Sequence, residues 1–131
     1  MEEQSAEVQP IEVQPIERQP VENQTVKGHL DLLLLAVVAD APLHGYAVIE
    51  RLRQRSGGVF DLPEGTVYPA LHRLDRAGLL RSEWTVAQGR RRRVYRLTAK
   101  GTRALDVRAR VWDEFAAAVA GVLEGVRWAP T

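Results

Sequence analysis

The hydrophobic residues from residue 28 onward recur first at helical spacing. Residues 28 to 42, GHLDLLLLAVVADAP, are apolar on almost all sides, which predicts a helix covered by its neighbours and ended by Pro42. Residues 43 to 58, LHGYAVIERLRQRSGG, predict a second helix that Gly57 and Gly58 end. The apolar face of this second helix consists of Ala47, Val48, Ile49 and Leu52.

A third helix is predicted over residues 63 to 77, before Gly78. Its apolar residues follow at steps of three and four: Val67, Ala70, Leu71, Leu74 and Ala77. Asp61 and Glu64 have the spacing of a capping pair, but a start there would place Pro69 inside the helix, where it removes a hydrogen bond. A later start, with Thr66 as the cap and Pro69 in the first turn, avoids this conflict. The sequence leaves both starts open.

After Gly78 the pattern changes to a period of two. Polar residues alternate with Leu80, Ser82, Trp84 and Val86. Beyond a turn at Gln88 and Gly89, the segment RRVYRLT alternates again. This predicts a β-hairpin whose tip is strongly basic.

Thr98 is predicted to cap a last helix that runs to about residue 125. Its apolar residues form a coiled-coil-like stripe with a seven-residue repeat, Leu105, Trp112, Val119 and Val126, with Phe115 and Val122 between them. At 1.5 Å per residue the helix is about 40 Å long, which is more than a small domain needs to cover its own core. The exposed remainder predicts a dimerisation helix. Arg108 also falls on the stripe and is expected to reach solvent or a carboxylate.

The first 26 residues have a different composition. EVQPIEVQPIERQPVENQ is a five-residue repeat with proline at positions 10, 15 and 20. Regular proline prevents a helix, and the Gln and Glu residues leave too little apolar surface to offset the entropy of ordering. We expect a disordered acidic tail. A tail that is simply solvated is favoured over one that competes with nucleic acid for basic residues.

Composition excludes several classes of protein. The chain has 131 residues, enough for one ordinary domain, and no apolar run approaches the roughly 20 residues of a membrane helix. Without a secretory signal or cysteine, a cytoplasmic protein is expected. The three histidines lack metal-ligand spacing, and there is no phosphate-binding glycine loop or nucleophile motif. We therefore expect no enzyme activity, metal or cofactor.

The positive charge is concentrated in one region. The formal net charge is +1, but residues 1 to 26 contribute six Glu and one Arg, so the rest of the chain is basic by +6. Residues 73 to 103 hold ten Lys and Arg against Asp75 and Glu83. Such a density of positive charge is typical of proteins that bind nucleic acid.

The order of the elements predicts a mainly α fold with a small β-hairpin, as in a winged helix-turn-helix with a long C-terminal helix. In that arrangement the third helix enters the major groove and the hairpin, or wing, lies on the flanking backbone. The outward face of the third helix would then meet double-stranded DNA, together with the arginine run of the wing: Thr66, Tyr68, Pro69, His72, Arg73 and Arg76, and Arg90, Arg91, Arg92 and Arg93. For Tyr68 a core position is equally consistent with the pattern.

Three segments together resemble the PadR-like winged-helix transcriptional regulators. They are KGHLDLLLLAVVADAPLHGYAVIERL, PEGTVYPALHRLDRAGLL and GRRRRVYRLTAKGTRAL, in the family's order and spacing. The resemblance implies DNA contacts by Tyr46, Thr66, Tyr68, Pro69, Arg73 and the wing arginines. It also implies a homodimer formed by the last helix with help from the first, where Leu33 lies. A single C-terminal helix resembles the family's smaller subgroup.

The expected organisation is a tail over residues 1–26, a winged-helix domain over 27–98, a dimerisation helix over 99–125 and a flexible end over 126–131. Two features differ from the family pattern. The arginine run replaces the wing's usual Gly-Arg-Pro, and the acidic tail is foreign to it, so that residues 1 to 25 raise the hypothesis of a misplaced start.

The sequence thus predicts a dimeric transcriptional regulator, a repressor, that binds a pseudo-palindromic operator. The alternatives are a module that binds a protein or sequesters a ligand and an architectural DNA binder without sequence preference. Trp112 and Phe115 are interpreted as dimer contacts, with an unknown small-molecule effector as the alternative occupant of their surroundings.

Overall fold

The computed structural model describes residue 26 and residues 28–126. Within these residues, four helices and three strands follow one another: α1 (Leu30–Asp40), β1 (Leu43–His44), α2 (Gly45–Arg55), α3 (Glu64–Arg76), β2 (Leu80–Ala87), β3 (Arg90–Leu97) and α4 (Ala99–Glu124). The predicted mainly α fold with a basic hairpin and a long last helix is confirmed.

The core lies where α1, α2, α3 and the base of the hairpin meet. α1 is at its centre and packs against all three other helices and β3, which explains why it is apolar nearly all round. Its buried residues are joined by the apolar faces of α2 and α3 and by Leu80 and Tyr95 from the strands. Val26 is also buried, so this residue, predicted as the end of the tail, packs in the core. Residues 1 to 25, the rest of the predicted tail, lie outside the described residues.

α3 begins at Glu64, between the two predicted starts. Pro63 is the N-cap residue, neither Asp61 nor Thr66 caps the helix, and Pro69 lies inside it. Pro69 has no N–H to give to the carbonyl of Gly65 four residues earlier. Gly65 and Pro69 are both exposed, so that solvent can hydrate this carbonyl. The predicted capping pair is wrong because the first turn is closed by N–H groups of Thr66 and Val67 that donate to the Pro63 carbonyl.

The sheet has three strands in the order β1-β3-β2, one more than the sequence predicted. β1 is only two residues long and pairs antiparallel with β3 through Leu43 and His44, which is too short for an alternating pattern to reveal. The β2-β3 hairpin closes through Gln88 and Gly89, both at positive φ (55° and 75°). A two-residue turn with positive φ at both positions suits the right-handed twist of the strands.

α4 is attached to the domain at its first turn. The Thr98 side chain accepts a hydrogen bond from the Gly101 N–H, which confirms Thr98 as the cap. The Thr98 N–H and hydroxyl both donate to the Leu79 carbonyl. Gly101 lies directly against that carbonyl, and a β-carbon at position 101 would stand 2.0 Å from the oxygen. Only glycine permits this close approach.

Beyond its first turns α4 leaves the domain. Gly101 is its one buried residue, and every position from residue 117 to 124 is exposed. Of the predicted flexible end, residues 127 to 131 lie outside the described part of the chain. Within the described residues, no helix is both long and apolar enough to cross a membrane.

Candidate nucleic-acid interface

The outer face of α3 carries polar side chains directly opposite its buried face. Val67, Ala70, Leu71 and Leu74 are buried. Pro69, His72 and Arg76 lie on the opposite side and are exposed, while Thr66 is half-buried at the edge of this face. The helix therefore presents the imidazole of His72, the ring of Pro69 and the guanidinium of Arg76 outward, where a ligand can contact all three.

Two tyrosines border this face near the start of α2. Tyr46 is 53% exposed, whereas Tyr68 is half-buried. The Tyr68 ring lies over Gly45, where an added β-carbon would stand 2.5 Å from Cε1. Burial raises the pKa of Tyr68 above its ordinary value. Tyr68 thus packs against the protein and also lines the outer surface, so its predicted DNA contact stays a prediction.

The arginine run lies in strand β3 rather than in a loop at the hairpin tip. Successive strand residues point to opposite faces, so Arg91 and Arg93 share one face and Arg90 and Arg92 the other. Arg90 and Arg91 are exposed, and Arg92 and Arg93 are half-buried. The four arginines therefore do not form one uniform patch.

Arg93 ties the wing to α3. Its Nε donates to the Ser82 hydroxyl at 2.8 Å, and that hydroxyl donates to Asp75 on the last turn of α3. The Arg93 Nη2 also lies 3.4 Å from Asp75 Oδ2. Arg93 is committed to these partners, so its main role is to fix the wing relative to α3.

Trp84 supports the outer arginines of the wing. The guanidinium carbon of Arg91 is 4.6 Å from the Trp84 ring centroid, and that of Arg93 is 5.7 Å away. Trp84 is 56% exposed although its strand pattern groups it with buried Leu80, because the hairpin extends beyond the core. An arginine stacked on an aromatic face keeps its charge and its outward N–H groups.

Arg73 does not share the surface of Arg76. Its Nη2 and Nη1 donate to the two carboxylate oxygens of Asp31 on α1, at 2.9 and 3.2 Å. Those hydrogen bonds raise the pKa of Arg73 above its ordinary value. The predicted DNA contact of Arg73 thus has a competing partner within the chain. The two residues are 42 positions apart, so the helical period does not connect them.

His44 connects α2 with the wing. Its Nδ1 accepts from the Ala47 N–H at 3.3 Å as the cap of α2, and its Nε2 lies 2.8 Å from Arg92 Nη1. A neutral imidazole offers one lone pair, so it accepts from only one of these donors at a time, and a protonated ring accepts from neither. Burial, and then the charge of Arg92, lower the pKa of His44 below 6.5.

The lowered pKa of His44 predicts a loss of stability in acid. Between the folded pKa and 6.5 the unfolded chain binds the proton more readily, so the stabilisation is complete above pH 6.5 and decreases as the pH falls below it. We expect His44→Asn, which still caps α2 but does not titrate, to lose less melting temperature than the wild type between pH 7.5 and 5.5. Thermal denaturation of both proteins at the two pH values measures this. Equal losses would contradict the role of His44.

These parts meet in one open cleft of about 490 Å³ between α3 and the wing. It is lined by two histidines, three tyrosines, a tryptophan and three arginines, which are His44, His72, Tyr46, Tyr68, Tyr95, Trp84, Arg90, Arg92 and Arg93. Aromatic rings and guanidinium groups around a groove suit a polyanion with sugar and base edges. Some of the predicted DNA-binding residues line this cleft, namely Tyr46, Tyr68, His72, Arg90, Arg92 and Arg93. The others do not line it: Thr66, Pro69, Arg73, Arg76 and Arg91.

A second, mostly apolar groove of about 720 Å³ lies between α1 and α4. Its wall on α4 includes Trp112, whose ring centroid is 5.2 Å from that of His29 and 5.9 Å from that of Phe115. Phe115 is 57% exposed, and Val119 and Val122 continue the exposed stripe beyond the groove. Leu33 and Leu105 differ from this group, since both pack against the core of their own chain.

A helical domain with an outward polar helix, a basic three-stranded wing and a cleft between them is a winged helix-turn-helix DNA-binding domain. The chain matches the model of the PadR-like family of transcriptional regulators over residues 34–107, and it belongs to that family. Members of this family are transcriptional regulators rather than enzymes.

Individual relatives agree with this assignment. The chain is 41% identical over 90 residues to the transcriptional regulator Rv3488 of Mycobacterium tuberculosis. The matched region covers 69% of this chain and 81% of that protein. A PadR family transcriptional regulator from Eggerthella lenta has a similar structure, with a TM-score of 0.67 and 31% identity over 77% of this chain and 87% of that one. A PadR family regulator from Clostridium difficile gives a TM-score of 0.64 and 30% identity, over 73% and 98% of the two chains.

Proposed function

We propose that this PadR-like regulator is a homodimeric repressor that reads a pseudo-palindromic operator. The observation that carries the proposal is the single cleft to which α3 contributes His72 and the wing contributes Arg90 and Arg92. One bound duplex can occupy both parts at once, with α3 in the major groove and the wing on the neighbouring backbone.

The exposed residues divide by the part of DNA they suit. Arg76 and His72 project from the outer face of α3, where base edges would lie, and an arginine can donate two hydrogen bonds to guanine. Arg90 and Arg91 are exposed on the wing and suit phosphates, which carry no sequence information. We therefore assign sequence reading to α3 and non-specific affinity to the wing.

The exposed apolar stripe of α4 supports the homodimer. Trp112, Phe115, Val119 and Val122 lie on the far side of α4 from solvent-facing Asp106 and Ala117, on a helix that extends past the domain. Burying this stripe against a second copy would remove it from water and place two α3 helices on one duplex. Two copies in successive major grooves, about 34 Å apart, would require an inverted repeat. Bound over a promoter, such a dimer would obstruct RNA polymerase, which is the basis for proposing repression.

Substitutions in α3 and the wing are expected to have different effects. Arg76→Gln should cost about 1–3 kcal/mol of binding to an operator recovered by in vitro selection, with little change on scrambled DNA. Arg91→Gln should weaken binding to both duplexes and make the salt slope shallower by about 1.8, since each of the two chains loses one phosphate contact and each contact contributes about 0.9. Anisotropy titrations at several salt concentrations measure both quantities.

Arg55→Gln is the matched control. Arg55 ends α2 and pairs with Asp40, away from the cleft, and its loss removes the same charge. If Arg76→Gln, Arg91→Gln and Arg55→Gln all lost the same affinity, the effect would be due to net charge alone. A loss with Arg76→Gln that is the same on every sequence would favour the architectural binder instead.

A further inference from the structure

Asp31 of α1 lies between the helix that would read DNA and the helix that would form the dimer. Its carboxylate accepts two hydrogen bonds from Arg73 of α3, and the Nη2 of Arg108 of α4 is 3.7 Å from Oδ2. Two cationic side chains from different helices thus compete for one anion. The side chain of Asp31 is 25% exposed, against 55% for Arg73 and 42% for Arg108.

Arg73 is close enough to the outer face of α3 to change partners. It follows Pro69 by four residues and precedes Arg76 by three, so it neighbours both along the helix surface. More than half of its side chain is exposed, and its long flexible stem can carry the guanidinium from one side of the helix to the other. A DNA phosphate offers the same planar pair of oxygen acceptors that Asp31 now supplies.

We propose that Asp31 keeps Arg73 away from DNA while the protein is free. On DNA binding, Arg73 moves to a phosphate and Arg108 becomes the partner of Asp31. This inference rests on the proposed DNA-binding function and adds a residue that lowers affinity. Asp31 imitates a phosphate within the protein, so DNA must displace it before Arg73 becomes available.

Arg108 lowers the energetic cost of the exchange. If Arg73 left without a replacement, the partly buried carboxylate of Asp31 would lose its close partner, which is costly. With Arg108 already 3.7 Å away, a small movement completes a second ion pair. The exchange also couples α3 to α4, because DNA binding by Arg73 would draw Arg108 of α4 toward Asp31 of α1.

The test is a titration of the full chain onto a selected operator duplex. An ion pair this exposed contributes up to about 1 kcal/mol in each chain. Asp31→Asn should therefore tighten binding by up to about fivefold for each half-site, and by up to about thirtyfold for the dimer on the full operator. Its salt slope should equal that of the wild type, because the bound state has the same phosphate contacts. Arg73→Gln should reduce the slope by about 1.8, since each of the two chains loses one phosphate contact. In the double variant, Asp31→Asn should give no gain over Arg73→Gln alone.

Asp40→Asn is the control for charge, since Asp40 ends the same helix and pairs with Arg55. A gain as large as that of Asp31→Asn would overturn the proposal by assigning the effect to net charge. So would a gain that persists without Arg73, or Asp31→Asn that binds no better than the wild type.

Arg108→Gln tests the replacement step. Affinity for the full operator should fall by up to about thirtyfold, which is up to about fivefold for each chain, while sedimentation still shows the wild-type assembly, because Asp31 would lose its second partner. Unchanged affinity would overturn the part assigned to Arg108. The proposed function fails separately. If the wild type binds every DNA sequence equally well, both the proposed function and this inference are wrong. If Arg76→Gln loses operator affinity but Asp31→Asn leaves affinity unchanged, only this inference is wrong.

Discussion

Phe115→Glu is expected to convert the proposed homodimer into monomers without unfolding the winged-helix domain. Phe115 is 57% exposed on the apolar stripe of α4 and is not part of the hydrophobic core, so its own chain tolerates a charge there. In a symmetric interface the change would place two carboxylates against apolar side chains, and a buried charge without a partner costs about 3–5 kcal/mol. Because two linked half-site contacts raise affinity by about 10²–10⁴, operator binding should fall by at least about a hundredfold.

Sedimentation velocity and the operator titration measure the two effects of Phe115→Glu, and circular dichroism confirms that the domain is folded. Ala117→Glu is the matched control. It introduces the same residue two positions later on the opposite, exposed face of α4. A Phe115→Glu variant that sediments like the wild type and binds the operator equally well would exclude the stripe as the interface.

Gly101→Ala is expected to destabilise the fold by about 3 kcal/mol or more, at the upper end of what overpacking costs. The added β-carbon would stand 2.0 Å from the Leu79 carbonyl oxygen and 2.9 Å from Leu97 Cδ1. The carbonyl cannot move freely, since Thr98 donates two hydrogen bonds to it. α4 would have to lift from the domain, with loss of its cap.

Urea denaturation of Gly101→Ala beside Gly121→Ala isolates the clash. Both glycines lie in α4, but a β-carbon at position 121 meets nothing within 4 Å. Alanine at position 121 should therefore stabilise the helix by up to about 1 kcal/mol through its higher propensity. The same sign of change in both variants would contradict the close packing of α4 at Gly101.

The elements that could be predicted from the sequence are those whose apolar residues recur at a regular spacing. α1, α2 and the hairpin follow from apolar spacing and from glycine at turns, and the Gln88-Gly89 turn is visible because two-residue hairpins need such residues. β1 was missed because two residues carry no period. The position of Pro69 within α3 could not be decided, since the cost of one lost hydrogen bond is balanced by tertiary packing of Val67, Ala70 and Leu71.

For the interface, residue type predicted the surface but not the partners. The outward direction of His72 and Arg76 follows from the helical period. The engagement of Arg73 with Asp31, of Arg92 with His44 and of Arg93 with Ser82 joins positions that are distant in sequence, and a charge count cannot distinguish an arginine held by the protein from a free one. The isolated acids Asp31 and Asp75, surrounded by basic and apolar residues, were the available signals.

The most direct test of sequence-specific binding by a homodimer is selection from a pool of random DNA duplexes with the purified full chain. We expect an enriched inverted repeat, with half-site centres about 10 base pairs or a multiple apart, bound by two chains. Salt-sensitive binding that enriches no sequence would contradict sequence-specific regulation and leave a basic winged helix that binds DNA of any sequence.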